Sequence, residues 1–556
     1  MKSNISSQQR VNPRVPIQVS DLARSLYMSN ITIKAHASLC EEILRLFAIE
    51  DFAGAKRLYS DLLSSSLCKG EREYAFISQF GALLFKSSPP PRVAKSLEKD
   101  AIEQFLYNEN QCRKANRFIT FDRSLPNLSN ETKKVLERAR WWLMSRLPQV
   151  SVVLADIMNE SRPGPGATRD QVSPRRSSSC WKYSEQKLGW YELGTIYHEL
   201  LLSSSAIHSK ALLEWHDDCS PTVHSANKVT FVPKSVTSLR SIAIEPNGSM
   251  MAQLGIHEYF VKFLNKYGNS IRSQERNQNL AREGSLTGQL ATIDLSSASD
   301  SISLALVYQM FPSDWFELLY RLRAPSGILP GGKLIKYEKF ASMGNGTTFA
   351  VETIIFLAIC RAISSDRRVS VYGDDIIIPT TAAQKLEEVL NELGFKLNNE
   401  KSFASGPFRE SCGCDWYNGN SVTPKYWRAG NAPYLTEVYE FLNTCENAYP
   451  MINWSGVRGY LLNRISACGV TLTFGPSHLP SDCCLHAPES YLRACVKRRW
   501  NKHTQTHSYR VIRFVNKHVS ADDRKPYTAL AMLRSGASVS ELPLRHTGFY
   551  RYVWTA

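Results

Sequence analysis

Val369-Ser-Val-Tyr-Gly-Asp-Asp-Ile-Ile-Ile378 sets two apolar, β-branched arms around a Tyr372-Gly373-Asp374-Asp375 centre, and Pro379 closes the second arm. Val and Ile favour extended backbone and Gly-Asp is turn chemistry, so the segment reads as strand, tight turn, strand. Such a hairpin carries two adjacent carboxylates at its tip. Like charges that close repel and raise a pKa at an otherwise apolar site, unless a divalent cation joins them. Hard Mg²⁺ prefers carboxylate and phosphate oxygens. The plain alternative is a solvated Asp-Asp turn, and the surrounding sequence has to decide between the two.

Upstream, Lys228-Val-Thr-Phe-Val-Pro-Lys234 and Leu239-Arg-Ser-Ile-Ala-Ile-Glu-Pro246 read as two strands carrying Lys234 and Arg240. Cations on adjacent strands suit a triphosphate, Arg as a fork and Lys as a point charge, although either is equally at home on a surface. Gly288-Gln-Leu-Ala-Thr-Ile-Asp294 is a third strand with Asp294 at its end. A helix is expected from Ser301 to Phe311, with Asp300 or Ser299 as its N-cap, so capping competes with any chemical role for Asp300. Ser342-Met-Gly-Asn-Gly-Thr-Thr348 is a small-residue loop opening onto an apolar helix through Ala362, and Gly344 and Gly346 are expected to let backbone approach a ligand. After the hairpin, Leu386, Val389, Leu390 and Leu393 mark a helix that Gly394 ends. A strand-like Phe395-Lys-Leu-Asn398 then leads to Lys401. This β-α-α-β-β-α-β run describes a small antiparallel sheet backed by helices, with Asp294 and Asp374 at neighbouring strand ends. Two metals held there are the standard device for in-line attack on a phosphate.

The 556 residues suffice for several domains or one large multi-lobed enzyme. A formal charge of +16 points to a polyanionic partner, nucleic acid before membrane. From Tyr491 onward thirteen basic residues oppose only Asp522, Asp523 and Glu541, and Trp500, Tyr509, Tyr552 and Trp554 are interleaved with them. Aromatics among cations suit stacking on bases, though some must be core. Thirteen irregularly spaced cysteines read as reduced thiols of a cytosolic protein, and no zinc site is expected. The N-terminus has no apolar signal region and no run is long enough to span a bilayer. Residues 1–34 read as a polar extended arm and His36 to Ser66 as two amphipathic helices, with Leu39, Ile43, Leu44 and Phe47 on one stripe. Ser88-Pro-Pro-Pro-Arg92 is a break, Thr132 to Arg146 a helix, residues 161–168 a Gly/Pro loop, and Arg175 to Ser179 a basic turn.

Taken together, Phe231-Val-Pro-Lys, Ile242-Ala-Ile-Glu-Pro, Glu283-Gly-Ser, Ile293-Asp-Leu-Ser-Ser-Ala-Ser-Asp-Ser-Ile-Ser303, Tyr337-Glu-Lys, Ser342-Met-Gly-Asn-Gly, Tyr372-Gly-Asp-Asp and Phe408-Arg-Glu-Ser-Cys-Gly413 resemble the palm of template-dependent polymerases. More closely they resemble the RNA-directed RNA polymerase, or replicase β subunit, of the single-stranded RNA bacteriophages, the leviviruses. The resemblance runs from about residue 228 to 428. It implies an α+β right-hand fold of fingers, palm and thumb: 1–160 a helical region with fingers, 161–285 fingers, 286–407 the catalytic palm, 408–556 the junction, thumb and basic C-terminal region. It implies that Asp294, Asp374 and Asp375 bind two Mg²⁺ ions, with Mn²⁺ a substitute. Asp300, helped by Ser342 or Asn345 beside Gly344, is expected to check the ribose 2′-hydroxyl, and Lys234 and Arg240 to hold the triphosphate. Lys401 becomes a candidate acid for pyrophosphate, with a plain surface lysine as the alternative. Implied partners are template and product RNA, ribonucleoside triphosphates, host elongation factors Tu and Ts, and a small-subunit ribosomal RNA-binding protein. The implied location is the cytoplasm of an infected bacterium. Three competitors stand beside this. A reverse transcriptase is disfavoured by Asp300, a non-catalytic RNA-binding protein leaves the carboxylates unexplained, and a palm-fold cyclase has no use for the basic C-terminal region.

Overall fold

The N-terminal arm folds back into helix. In a computed structural model describing residues 11–30, 37–67, 69–170, 187–204, 220–427, 430–448, 452–516 and 548–555, helix α1 spans Val19–Ser29. Leu22, Ala23, Leu26 and Tyr27 share one buried face, a spacing that the polar composition of the segment conceals. The residues before it are extended but not free: Val15 and Ile17 donate backbone hydrogen bonds to Pro433 and Asn431 and are buried. Helices α2 (Ala37–Ala48) and α3 (Phe52–Ser66) follow as expected, except that Leu39 is exposed while Cys40 joins Ile43, Leu44 and Phe47 inside. Asp51 starts α3 by accepting from Gly54 N–H at 2.9 Å. After α4 (Glu71–Phe85), the proline run is a helix start as well as a break. Pro91 opens the 29-residue α5, Pro91–Ile119, where its missing N–H costs nothing. Then come α6 (Asn130–Met144) and α7 (Val150–Asn159). The basic turn at Arg175 to Ser179 lies outside the described residues.

Strands β1 (Lys187–Tyr191) and β2 (Ser220–His224) pair in parallel. Strands β3 (Asn227–Ser235) and β4 (Ser238–Ile244) form the hairpin that the two cation-bearing stretches predict. Helices α8 (Asn247–Lys266) and α9 (Glu275–Thr287) lead to β5 (Leu290–Ile293). The single helix expected from Ser301 to Phe311 is two pieces, α10 (Ala298–Ser301) and α11 (Leu304–Met310). Ser303, not Asp300 or Ser299, caps the second by accepting from Leu306 N–H. Short strands β6 (Ser326–Ile328) and β7 (Leu334–Lys336) complete a four-stranded sheet in the order β4-β3-β6-β7. Helix α12 (Thr348–Ile363) precedes β8 (Ser370–Tyr372), β9 (Asp375–Pro379) and α13 (Thr380–Glu392). Strands β5, β9 and β8 make an antiparallel sheet with β9 in the middle, Ile293 opposite Ile376 and Tyr372 opposite Asp375. The strand expected at 395–398 is reduced to two isolated bridges, Leu295 to Leu397 and Thr292 to Phe403, with the chain bulging out between them.

Beyond α13, β10 (Phe408–Ser411), β11 (Cys414–Tyr417) and β12 (Asn420–Ser421) form a meander. Helices α14 (Leu435–Ala448) and α15 (Ser455–Ala467) and a short parallel pair, β13 (Phe474–Gly475) with β14 (Leu485–His486), follow. A ribbon of β15 (Arg498–Asn501), β16 (Thr506–Asn516) and β17 (Gly548–Thr555) ends the described chain. The protein is thus α+β, built on small sheets backed by helices.

Two large cores result. One joins α6, α7, α8, α11, α12 and α13 to the β5-β9-β8 sheet. The other joins residues 15–85 to side chains drawn from residues 408–512, so segments more than three hundred residues apart share one interior. Among the described residues no helix is long and apolar enough to cross a membrane.

Candidate active site

The β8–β9 turn is held from three sides. Gly373 takes φ +64°, which a two-residue hairpin turn demands of its first central residue. A Cβ there would meet the Phe349 ring at 2.5 Å, so glycine is fixed by packing as well as by backbone. Its N–H donates to Thr353 Oγ1 of α12 at 3.0 Å. Among the described residues, the outer edge of β8 has no strand partner; Asn269 replaces one, donating to Val371 O at 2.7 Å and accepting from Val371 N–H at 2.9 Å. The hairpin tip is therefore rigid, and Asp374 occupies it.

Asp294 follows the last residue of β5, and the β5–β9 register carries it alongside Asp375. The 398–402 bulge wraps it. Asn398 Nδ2 donates to Asp294 Oδ2 at 2.7 Å, and Ser402 Oγ accepts from Asp294 N–H at 3.1 Å. Burial, with Asp374 and Glu410 adding repulsion, pushes the Asp294 carboxyl up to about 6. Asp375 is pushed up to about 7, again by burial first, with Asp374, Glu410 and Asp294 contributing. Asp375 Oδ1 already accepts from Cys412 N–H at 3.0 Å and Ser411 Oγ at 3.4 Å, which ties it to the β10–β11 turn. The three aspartates are together, but they are not equivalent: Asp375 is half committed to structure.

Arg409 explains how the two sheets keep this register. It is fully buried, and its guanidinium donates to the carbonyls of Leu290, Ser405, Gly406 and Phe408, fastening β10 to β5. Glu352, the lone acid on an apolar face of α12, is 1% exposed. It accepts from Ser299 Oγ at 2.9 Å, and burial with Asp374 and Asp300 nearby holds its carboxyl well above the usual range. A buried acid biased toward its neutral form thus lies near Asp374 and Asp300. The sequence reading passed over it, though an acid inside Thr348-Phe-Ala-Val-Glu-Thr-Ile-Ile-Phe was the available signal.

The predicted cations arrive at the same place. Lys234 and Arg240 are exposed on the paired strands β3 and β4, and Val232, two residues from Lys234, faces Arg240 across the ladder. Desolvation, then Arg240 and Lys401, lower the Lys234 ammonium, while Asp294 and Asp374 act on it in the opposite sense. Lys401 rides on the bulge and pairs with Glu410 at 3.3 Å. Desolvation works against its charge, but Glu410 and Asp294 hold it above the ordinary lysine range.

The 342–348 loop turns out differently. Gly344, at φ +111°, presses on β4: a Cβ there would meet Ala243 O at 2.1 Å, and Ala243 N–H donates to Met343 O at 2.7 Å. Gly346 donates to Gln253 Oε1 at 2.9 Å. The two glycines make close backbone contact with β4 and α8. Asn345 Oδ1 accepts from Thr347 N–H and Oγ1, so it orders the start of α12. Ser342 is buried and its carbonyl accepts from Thr348 Oγ1 at 3.3 Å. Asp300 caps no helix. It meets Lys339 Nζ at 2.8 Å and accepts from Ser241 Oγ at 3.2 Å.

Residues 69–462 match the family described as RNA replicase, beta-chain. The chain is 38% identical over 344 residues to the RNA-directed RNA polymerase subunit beta of Enterobacteria phage SP, an alignment covering 60% of this chain and 57% of the relative. It is 48% identical over 207 residues to that of Escherichia virus Qbeta (36% and 35%), and 34% identical over 326 residues to the RNA-directed RNA polymerase beta chain of Escherichia phage MS2 (55% and 59%). The aligned part thus spans less than two thirds of each relative. Among solved structures, an RdRp complex aligns at TM-score 0.38 with 12% identity, over 63% of this chain and 34% of that one, and the BmCPV RNA-dependent RNA polymerase at elongation state at TM-score 0.36 with 10% identity, over 62% and 34%. Those two likenesses are too distant to bear on the fold or the site. The family match covers well over half of the sequence, and this chain belongs to the RNA replicase beta-chain family.

Proposed function

We propose that the chain is an RNA-directed RNA polymerase that copies a single-stranded RNA phage genome, adding ribonucleoside triphosphates to an RNA 3′-hydroxyl with release of pyrophosphate. The observation that carries this is the meeting of Asp294 and Asp374 at neighbouring strand ends with Lys234, Arg240 and Lys401 around them. Residues 161–285 with part of 1–160 then serve as fingers, 286–407 as palm, and 408–556 as junction, thumb and RNA path.

A divalent metal fits the donor set. Among the described residues no three His, Cys, Asp or Glu side chains converge into a closed cage. Mg²⁺ does not ask for one, because it keeps waters and binds through one or two carboxylates plus substrate phosphates. Asp294 and Asp374 supply hard oxygens, with Asp375 behind them, and Mn²⁺ suits the same ligands. Two such ions supply charge to ready the 3′-hydroxyl and to steady the leaving pyrophosphate. The chain's own residues do the rest. Asn398 and Ser402 hold Asp294 in place, and Lys234 and Arg240 take the triphosphate as point charge and fork. Asp300 meets the ribose. Lys401 is placed to give pyrophosphate a proton, although Glu410 competes for that proton.

Host elongation factors Tu and Ts, a small-subunit ribosomal RNA-binding protein and a cytoplasmic site in the infected bacterium complete the proposal. Labelled ribonucleotide incorporation on phage-like RNA with Mg²⁺, with and without those factors, tests it. Synthesis that needs the factors and vanishes in Asp374→Asn supports the whole reading. Factor-independent synthesis removes the partners, and no synthesis in either condition removes the polymerase.

A further inference from the structure

Lys339 is the one fully buried lysine among the described residues, and the sequence motif Tyr337-Glu-Lys339 left it without a role. Its ammonium meets Asp300 Oδ1 at 2.8 Å and Glu109 Oε1 at 3.3 Å, and lies 3.8 Å from the centre of the Phe105 ring. Burial disfavours the charge, but Asp300 and Glu109 reverse that, so Lys339 stays an ammonium. Phe105, Glu109, Cys112 and Asn116 recur at helical spacing on one face of α5. Glu109 Oε2 accepts from Glu338 N–H at 2.7 Å, Cys112 Sγ donates to Asp300 O at 3.3 Å, and Asn116 donates to Glu338 O at 2.8 Å. The whole stripe is spent on holding two segments, the one bearing Asp300 and the one bearing Lys339.

Asp300 is therefore asymmetric. Oδ1 is taken by a buried cation with no freedom to leave. Among the described residues, Oδ2 accepts only from Ser241 Oγ at 3.2 Å, a hydroxyl on half-buried β4 that can turn away. An incoming hydroxyl has one oxygen to meet, and its orientation is set from behind. Resting on the polymerase reading above, we propose that Lys339, drawn between Asp300 and Glu109, is a positioning residue for sugar selection: it fixes Asp300 so that Oδ2 receives the ribose 2′-hydroxyl. Helix α5, which contributes nothing else to the carboxylate site, becomes the outer anchor of that selectivity.

The test is single-nucleotide insertion by the full chain, in its complex with host factors, on a primed RNA template. kcat/KM is compared for CTP and 2′-deoxy-CTP. Lys339→Met should narrow the ribo-to-deoxy ratio by about tenfold, the worth of one well-placed hydrogen bond, through loss on CTP alone. Glu109→Gln, which keeps the lysine and the shape of its surroundings, should narrow it in the same direction by a smaller factor, and it stands in if Lys339→Met does not fold. In an Asp300→Asn background, Lys339→Met should leave the ratio unchanged, because the lysine acts through Asp300. A purely structural lysine would lower both efficiencies equally. An unchanged ratio in both Lys339→Met and Glu109→Gln, or a further shift in the Asp300→Asn background, overturns the proposal while wild-type synthesis leaves the polymerase standing. Wild-type complex that makes no RNA overturns both.

Discussion

The β8–β9 hairpin and the C-terminal β16–β17 ribbon are both antiparallel pairs loaded with charge, and they treat it in opposite ways. In the hairpin, Asp374 and Asp375 crowd against Asp294 at a half-buried edge, and both Asp294 and Asp375 are pushed toward neutrality. In the ribbon some of the charges are already answered from within, although Arg513 lies opposite Arg551. The Arg499 guanidinium lies 4.2 Å from the Trp554 ring, and that of Arg510 lies 4.2 Å from the Tyr552 ring. Arg493 and Arg498 share Glu489. Charge that the fold leaves in conflict waits for a ligand, whereas charge that the fold satisfies contributes less to binding than its count suggests. The basic aromatic pattern read as a base-stacking surface is, in the described part, partly a set of stacks internal to the ribbon.

Breaking the hairpin should have the largest effect. Asp294→Ala is expected to lower RNA synthesis by roughly a thousandfold or more, a loss of about 4 kcal/mol at the barrier, with RNA affinity retained in a filter-binding assay. Asp375→Asn should cost less than Asp374→Asn, because Asp375 already serves Cys412 N–H; equal losses would make Asp375 a full ligand. Lys401→Ala comes next, at about a hundredfold in turnover measured by single-turnover quench with nucleotide KM unchanged. A wild-type rate would return Lys401 to the role of a partner for Glu410.

The ribbon side of the comparison predicts a small number. If Arg499 and Arg510 both held phosphates, the paired Arg→Ala variant would flatten the plot of log K against log salt by about 2 units. Because each sits on an aromatic ring, the expected change is under about 0.5 unit, whereas the exposed pair Lys497 and Arg513 should give the larger shift. The smallest effect belongs to Glu352. Its carboxyl is raised above 4.5 by burial, so the folded state holds a proton that the unfolded chain has released, and stability falls as pH rises above about 4.5. Glu352→Gln removes that dependence. Its melting temperature relative to wild type should climb by on the order of 1–2 °C between about pH 5 and pH 8, and a flat difference would mean Glu352 is ionised in the fold.

Much of the stretch from β5 to α13 was legible because its signals are local. Alternating β-branched residues, a Gly-Asp turn and the i, i+3, i+4, i+7 pattern of Leu386 to Leu393 each specify their own backbone. What was not legible depends on distant partners. Whether Asp300 caps a helix stayed open beside its expected role, because Ser303 is equally near in sequence and its true partners, Lys339 and α5, are not. The close contacts of Gly344 with β4 and of Gly346 with α8 were also not legible, because a glycine reports close approach without saying to what. Helix α1 was read as an arm because its apolar face is narrow and its partner, α15, lies more than four hundred residues away.

That last pairing bears on how the chain is made. Asn12 exchanges hydrogen bonds with Thr436, Arg14 stacks on Tyr434, and the core under α1 to α4 is completed by Leu442, Leu461, Leu485 and Ile512. On a ribosome, α1 to α4 can pack on one another, but their shared core stays open on one side until residues 435 to 512 have been made. At about 5–20 residues per second, the wait is on the order of tens of seconds. The nascent N-terminal region must spend that time exposed, so an amino-terminal fragment is expected to aggregate rather than fold, and translation speed becomes a determinant of yield.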